Sequence, residues 1–184
     1  MFKLVDYSDD LNLDSFYENA LNRGFINNSS KKTMVDCFAN ERDWKVWILY
    51  QNDQAVGSVA AHSLDVIGPN AYRICARTCS FAEARPSHAL ITLNRLIVEH
   101  QNLTAQFFIP KCIEYCPPDS DLYITSNKSK IASQRQVHQI YCPTLEKFGV
   151  LTKTHELEYR GHVQTFWKLD KEIFLSQLNS YPRW

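Results

Sequence analysis

Three runs between Trp44 and Phe81 constrain this chain more than anything else in it. WKVWILY (Trp44 to Tyr50) is dense in β-branched and aromatic residues, QNDQ is a turn, and AVGSVAAHS (Ala55 to Ser63) is a second strand. Gly68, Pro69 and Asn70 mark another turn, and AYRICARTCSF follows as a third strand. Short connections of this kind join consecutive strands antiparallel. Along the third strand Arg73 and Arg77 share one face, as do Cys75 and Cys79. A meander of three strands must bury at least one face against other elements.

The rest of the chain supplies them. FKLVDY reads as an opening strand. DSFYENALNR is a helix with Asp14 as N-cap and Gly24 as its stop, and KKTMVDCFAN a second, capped by Ser29 or Ser30. After the meander, Leu90, Leu93 and Ile97, with Leu96 on the flank, make a helical stripe that begins at Ser87 and falters at QNLT. Pro110 opens a further helical piece, KCIEYC, closed by Pro117 and Pro118, and DLYITSN is a strand. QRQVHQIYCPTLEKFG is helical on both sides of Pro143 and stops at Gly149. THELEYRGHVQTFWKLD is a hairpin turning near Arg160 and Gly161, and KEIFLSQL is a last helix. With no repeat, low-complexity tract or linker composition, residues 1–184 read as a single domain long enough to bury a core.

Charge and cysteine usage narrow the function classes. Twenty basic residues balance twenty acidic ones, so no global field draws the chain to nucleic acid or to an anionic membrane. No apolar run approaches membrane-spanning length, and MFKLVDYSDD lacks a signal-peptide core, so the expected setting is cytoplasmic. Six cysteines include two C-x-x-x-C pairs, Cys75/Cys79 and Cys112/Cys116, besides Cys37 and Cys142. The spacing alone allows a zinc site. In a strand, however, residues four apart stand about 13 Å from each other, too far for one metal. Small buried hydrophobes kept reduced are the expected reading, with no metal.

The stretch FAEARPSHALITLNRL runs from strand through a turn into a helix, the geometry in which a helix N-terminus holds a phosphate. Such turns usually carry glycines, and this one has Arg85, Pro86, Ser87 and His88 instead. In order along the chain, DQAVGSVAAH, LYITSN, LEKFGV and EYRGHVQTFWKLD resemble the central hairpin, fifth strand, helix end and closing hairpin of the GNAT superfamily of N-acetyltransferases. The resemblance implies an α/β fold with a mixed, mostly antiparallel central sheet of about seven strands flanked by helices. It implies acetyl-CoA as co-substrate, its pantetheine arm inserted between the fourth and fifth strands. Cys79, Ser80 and Phe81 would hold the arm through their backbone, Asn127 would end the fifth strand, and Arg85, Ser87 and His88 would form the pyrophosphate turn. His88 and Leu90 stand where the family has a glycine and a small residue, which implies an acyl-CoA site that is weakened or lost. Leu145 stands where the family's frequent proton-donating tyrosine belongs, with Tyr141 one turn earlier.

Acetylation of an amine needs a base for the ammonium and gains from an acid for the departing thiolate. Glu83, at the mouth of the implied cleft, is the candidate base, and it also reads as a solvated loop carboxylate. Tyr141 is the candidate acid, and it also reads as a buried helix tyrosine. His138 and Cys142, four apart, suit half a metal site or a Cys–His pair but have no third ligand or orienting carboxylate in view, and His62, at a strand end, reads as a hydrogen-bonded surface histidine rather than the lining of an acceptor pocket. Lys128, Lys130 and Arg135 suit either a cofactor phosphate or a solvated loop. The expected function is acyl-CoA-dependent N-acyl transfer to a small-molecule or peptide amine. The alternative is a GNAT-like scaffold without catalysis, acting as a binding or assembly module.

Overall fold

The structure, a computed structural model, describes residues 1–7, 43–52, 54–78, 104–128 and 137–179. The helices expected near 14–24, 31–40 and 87–99 lie outside the described residues, as do Cys37 and Cys79. Among the described residues the strands are β1 (Phe2–Tyr7), β2 (Lys45–Gln51), β3 (Gln54–Ser63), β4 (Ala71–Thr78), β5 (Asp121–Ser126), β6 (Leu151–Tyr159) and β7 (His162–Leu169). They form one seven-stranded sheet in the order β1-β2-β3-β4-β5-β7-β6. Every neighbouring pair is antiparallel except β4 and β5, which run parallel. A parallel pair needs a crossover connection, and the chain between these two strands includes helical structure. The mixed, mostly antiparallel sheet is therefore as the sequence leads one to expect.

Three short α-helices accompany it among the described residues: α1 (Ile109–Tyr115), α2 (Cys142–Lys147) and α3 (Lys171–Asn179). The first two are built alike. A five-residue π-helical turn leads into each, Thr104–Phe108 before α1 and Val137–Tyr141 before α2. Each α-helix then has proline within its first two positions, Pro110 and Pro143. Proline has no N–H, and its ring crowds the carbonyl four residues earlier, so a regular α-helix cannot run through it. At a helix start the missing N–H is one of the orphan donors anyway. In this described stretch, helical structure is present from Thr104, ahead of the Pro110 boundary expected from the sequence.

One large apolar cluster joins alternate residues of the sheet to these helices. Trp47, Leu49, Val59, Ala61, Tyr72, Ile74, Leu122, Trp167 and Leu169 pack with Phe108, Ile109, Cys112, Cys142 and Phe174. A smaller cluster of Leu64, Ala71, Tyr123 and Phe166 takes residues of opposite parity on β4, β5 and β7, and so lies on the other face. Phe2 meets Phe107 at a tilt and Trp47 meets Tyr115 edge-on, each with ring centroids 5.1 Å apart, which ties β1 and β2 to the α1 segment. At the opposite edge, β6 is exposed from Thr152 to Glu156 and carries a register shift between Lys153 and His155. Charge and an irregular ladder both discourage a further strand from pairing there.

Candidate functional site

The parallel seam between β4 and β5 is only half closed. Its register runs from Ala71 opposite Asp121 to Ile74 opposite Ile124. Both strands continue beyond that point, but away from each other in pairing. Cys75 to Thr78 pair with β3, and Thr125 and Ser126 pair with β7. Among the described residues the facing edges of the upper halves thus have no ladder between them, and an open edge of this kind offers backbone N–H and C=O groups to a third partner.

Side chains at the top of β5 surround this opening. Arg73 on β4 donates from Nε to Thr125 Oγ1 at 2.9 Å, across the seam at the level where pairing stops. Ser126, on the other face, is buried, and its hydroxyl is a meeting point. Trp167 Nε1–H donates to Ser126 Oγ at 2.8 Å, and His138 Nδ1 lies 3.0 Å from the same oxygen. Indole is a donor only, so Ser126 keeps its own proton for His138 or for Cys142, whose thiol also contacts it. Asn127 closes the strand, and its Oδ1 is buried with no hydrogen-bond partner among the described residues. A buried acceptor left unpaired costs about 1–3 kcal/mol. It marks a place where a donor from outside the chain would be stabilising.

The titratable groups here are kept uncharged. Burial, then the positive charge of Lys128, lowers the His138 pKa below the ordinary 6.5; Glu156 opposes this and Lys153 adds to it. Burial pushes the Cys142 thiol up to about 12 against the pull of the Ser126 hydrogen bond. Tyr141 is half-buried at the junction of the π turn with α2. His138, Tyr141 and Cys142 therefore occupy one short helical start beside the end of β5.

No family model matches the chain, and no curated protein matches it in sequence. Solved structures do. An aminoglycoside acetyltransferase in complex with coenzyme A and kanamycin superposes with a TM-score of 0.56 at 12% identity, over 96% of this chain and 98% of that one. An acyl-CoA N-acyltransferase from Pseudomonas aeruginosa gives 0.52 at 11% identity, over 91% of this chain and 98% of that one. The spermidine N-acetyltransferase from Vibrio cholerae, in complex with CoA and spermine, gives 0.50 at 10% identity, over 95% and 98%. This chain has the GNAT fold. At such identities the likeness shows the fold and leaves the chemistry to this chain's own residues.

Within the GNAT fold the expected site residues divide into three groups. Asn127 and Tyr141 both lie at the β5–α2 end of the seam. Cys79, Ser80, Phe81, Glu83, Arg85, Ser87 and His88 fall outside the described residues, as do Lys130 and Arg135. His138 and Cys142, paired in the sequence by spacing alone, are joined through a serine that the spacing did not reveal. Leu145, in the place of the family's tyrosine, packs against the large core cluster. His62 corrects its expectation: it is 1% exposed, enclosed on a central strand between β2 and β4. Its Nδ1–H donates to the Ser63 carbonyl at 2.8 Å.

The thiols and the membrane expectation can be stated on the described residues. Cys75, Cys112, Cys116 and Cys142 form no disulfide, and no group of three or more metal-ligating side chains occurs among the described residues. Cys112 and Cys116 both pack into the large cluster, as small apolar residues do. Among the described residues no helix is long and apolar enough to cross a membrane. Sequence reasoning missed Arg73, Thr125, Ser126 and Trp167 as site neighbours. The pairing that places them was visible only in part, as the TSN that ends the fifth strand.

Proposed function

We propose that the protein transfers an acyl group from acyl-CoA, with acetyl-CoA as the expected donor, to a small-molecule or peptide amine. The observation that carries this reading is the half-open β4–β5 seam with the buried, unpaired Asn127 Oδ1 at its end. A pantetheine arm carries amide N–H and C=O groups and suits an unpaired strand edge. Its N–H groups match the orphan acceptor. Asn127 and the backbone from Cys75 onward would hold the arm, continuing into Cys79, Ser80 and Phe81. Arg85, Ser87 and His88 are proposed for the pyrophosphate. When bound, the donor supplies a thioester carbonyl for direct attack by the amine.

The chain's own contribution is to proton movement. An amine arrives largely as ammonium at neutral pH and must lose a proton before it can attack, a role assigned to Glu83. The departing thiolate gains from a proton donor, a role assigned to Tyr141. Its neighbour His138 is held neutral by burial and by Lys128, so at neutral pH the imidazole beside Tyr141 carries no proton to give up from an imidazolium.

Release of free CoA from acetyl-CoA, followed across a panel of amines, tests the reading. Turnover with at least one amine is expected, and Tyr141→Phe should lower kcat by about 10²-fold while leaving acetyl-CoA affinity nearly unchanged. An active enzyme with unaltered kcat removes Tyr141 from the mechanism. Absence of CoA release with every amine, despite acetyl-CoA binding, favours the binding or assembly module.

A further inference from the structure

The face of the seam opposite Ser126 carries two guanidinium groups on one aromatic ring. The Arg73 guanidinium lies 5.4 Å from the centroid of Tyr159, and that of Arg160 lies 5.0 Å from the same centroid. Both distances fall within cation–π range. Tyr159 is fixed in turn by an edge-on contact with Phe166 at 5.7 Å, and its carbonyl accepts a hydrogen bond from Gln164 Nε2 at 3.2 Å. Arg73 is half-buried, and no carboxylate among the described residues forms an ion pair with it. Among the described residues its polar contact is the neutral Thr125 hydroxyl at the mouth of the seam. A half-buried cation with no counter-charge among the described residues is stabilised when an anion binds beside it.

Arg160 adds an independent observation. Tyr159 pairs with His162, so Arg160 and Gly161 form a two-residue hairpin turn. Both have positive φ, 55° and 75°. That turn is best served by Asn-Gly or Asp-Gly, and a long side chain in the left-handed region is uncommon. The chain places an arginine where asparagine would suit the backbone better, and its guanidinium returns to the ring already occupied by Arg73.

We propose that Arg73, Tyr159 and Arg160 form an anion subsite that selects acceptor amines bearing a carboxylate or phosphate group. This rests on the acyl-transfer reading for the identity of the ligand as an amine. Arg73 spans the seam through Thr125, so an anionic group held on the two guanidiniums lies beside the opening into which the amine must reach. Cationic acceptors, polyamines among them, meet the Arg73 charge there and are disfavoured.

The test uses four tetrapeptides with free amino termini, identical except at the second position, which is aspartate, phosphoserine, alanine or lysine. Calorimetric titration into the full-length protein with CoA present gives their affinities, and release of CoA from acetyl-CoA gives kcat/KM. The aspartate or phosphoserine peptide is expected to bind at least 10-fold tighter than the alanine peptide, with the lysine peptide weakest. Whichever acidic peptide binds tighter identifies the carboxylate or the phosphate as the anion recognised. Arg160→Asn, which suits the turn, should melt no lower than the parent and lose most of this preference; Arg73→Gln should lose it as well. Equal affinity for the alanine, lysine and acidic peptides overturns the subsite, as does an Arg160→Asn protein that keeps the full preference. Selective acidic binding without CoA release from any peptide upholds the subsite and overturns acyl transfer. Transfer at equal kcat/KM to all four peptides does the reverse.

Discussion

Two segments of this protein have the same local construction and different surroundings. Each is a five-residue π turn followed by a short α-helix with an early proline and a buried cysteine, Cys112 in α1 and Cys142 in α2. The α1 segment fills its environment with apolar contact: Phe108, Ile109, Cys112 and Cys116 all lie in the large core cluster. The α2 segment turns Cys142 into the same cluster but sets His138 against Ser126, and through it against Trp167. Widened turns are often associated with functional sites. Here the proline explains the backbone in both places, so the turn by itself marks nothing. The polar groups and the open strand seam distinguish the α2 side.

This contrast can be broken in several ways. The largest effect is expected in the apolar segment, where Phe108 is fully buried. Phe108→Ala should cost about 3–5 kcal/mol in urea unfolding while the folded fraction keeps its acetyl-CoA affinity. A loss below about 1 kcal/mol would show that α1 is not the structural half of the pair.

Thiol reactivity comes next. Burial pushes Cys142 and Cys116 from 9.0 to about 12, and burial with the neighbouring thiols of Cys116 and Cys75 pushes Cys112 up further. A rise to about 12 leaves on the order of 10³-fold less thiolate than an ordinary thiol has. Labelling of all three near pH 8 should therefore proceed only through unfolding. A Cys142 that reacts much faster than Cys112 would make it a functional thiol and sharpen the difference between the segments.

Ser126→Ala should cost about 1–3 kcal/mol, because it strands the buried Trp167 N–H and removes the hydroxyl that meets His138 Nδ1. A neutral outcome would mean that the hydroxyl does not organise the α2 side. The smallest effect concerns pH. His138 has a folded pKa below its unfolded 6.5, so below that value the unfolded state binds more protons. Stability should fall slightly as pH drops through 6.5 and toward the folded pKa, and His138→Gln should flatten that slope. An unchanged slope in the variant would assign it to other groups.

How much of this could be read from the sequence follows from the range of the interactions involved. The meander, the closing hairpin and the helices around Pro110 and Pro143 are set by local alternation and by proline and glycine, and these were legible. So was the position of Asn127 just past the end of β5, through the resemblance of LYITSN to the family's fifth strand. The Ser126 contacts were not, since they join positions 12 and 41 residues away along the chain. Arg73 was read only as sharing a strand face with Arg77. Its stacking on Tyr159 depends on β7 inserting between β5 and β6, a sheet order that no local pattern encodes. His62 was misread as a surface residue because a polar side chain at a strand end usually faces water, and a central strand overrode that tendency.

The central claim is that the open seam between β4 and β5 holds the arm of an acyl-CoA against Asn127. A calorimetric titration of acetyl-CoA into the parent protein and into Asn127→Ala tests it most directly. The account predicts saturable one-to-one binding to the parent, with a Kd in the high micromolar range because His88 and Leu90 replace the small residues of the pyrophosphate turn. Asn127→Ala should weaken it by about 2–10-fold, the worth of one hydrogen bond. No saturable binding at millimolar acetyl-CoA, or equal affinity in the two proteins, would contradict it.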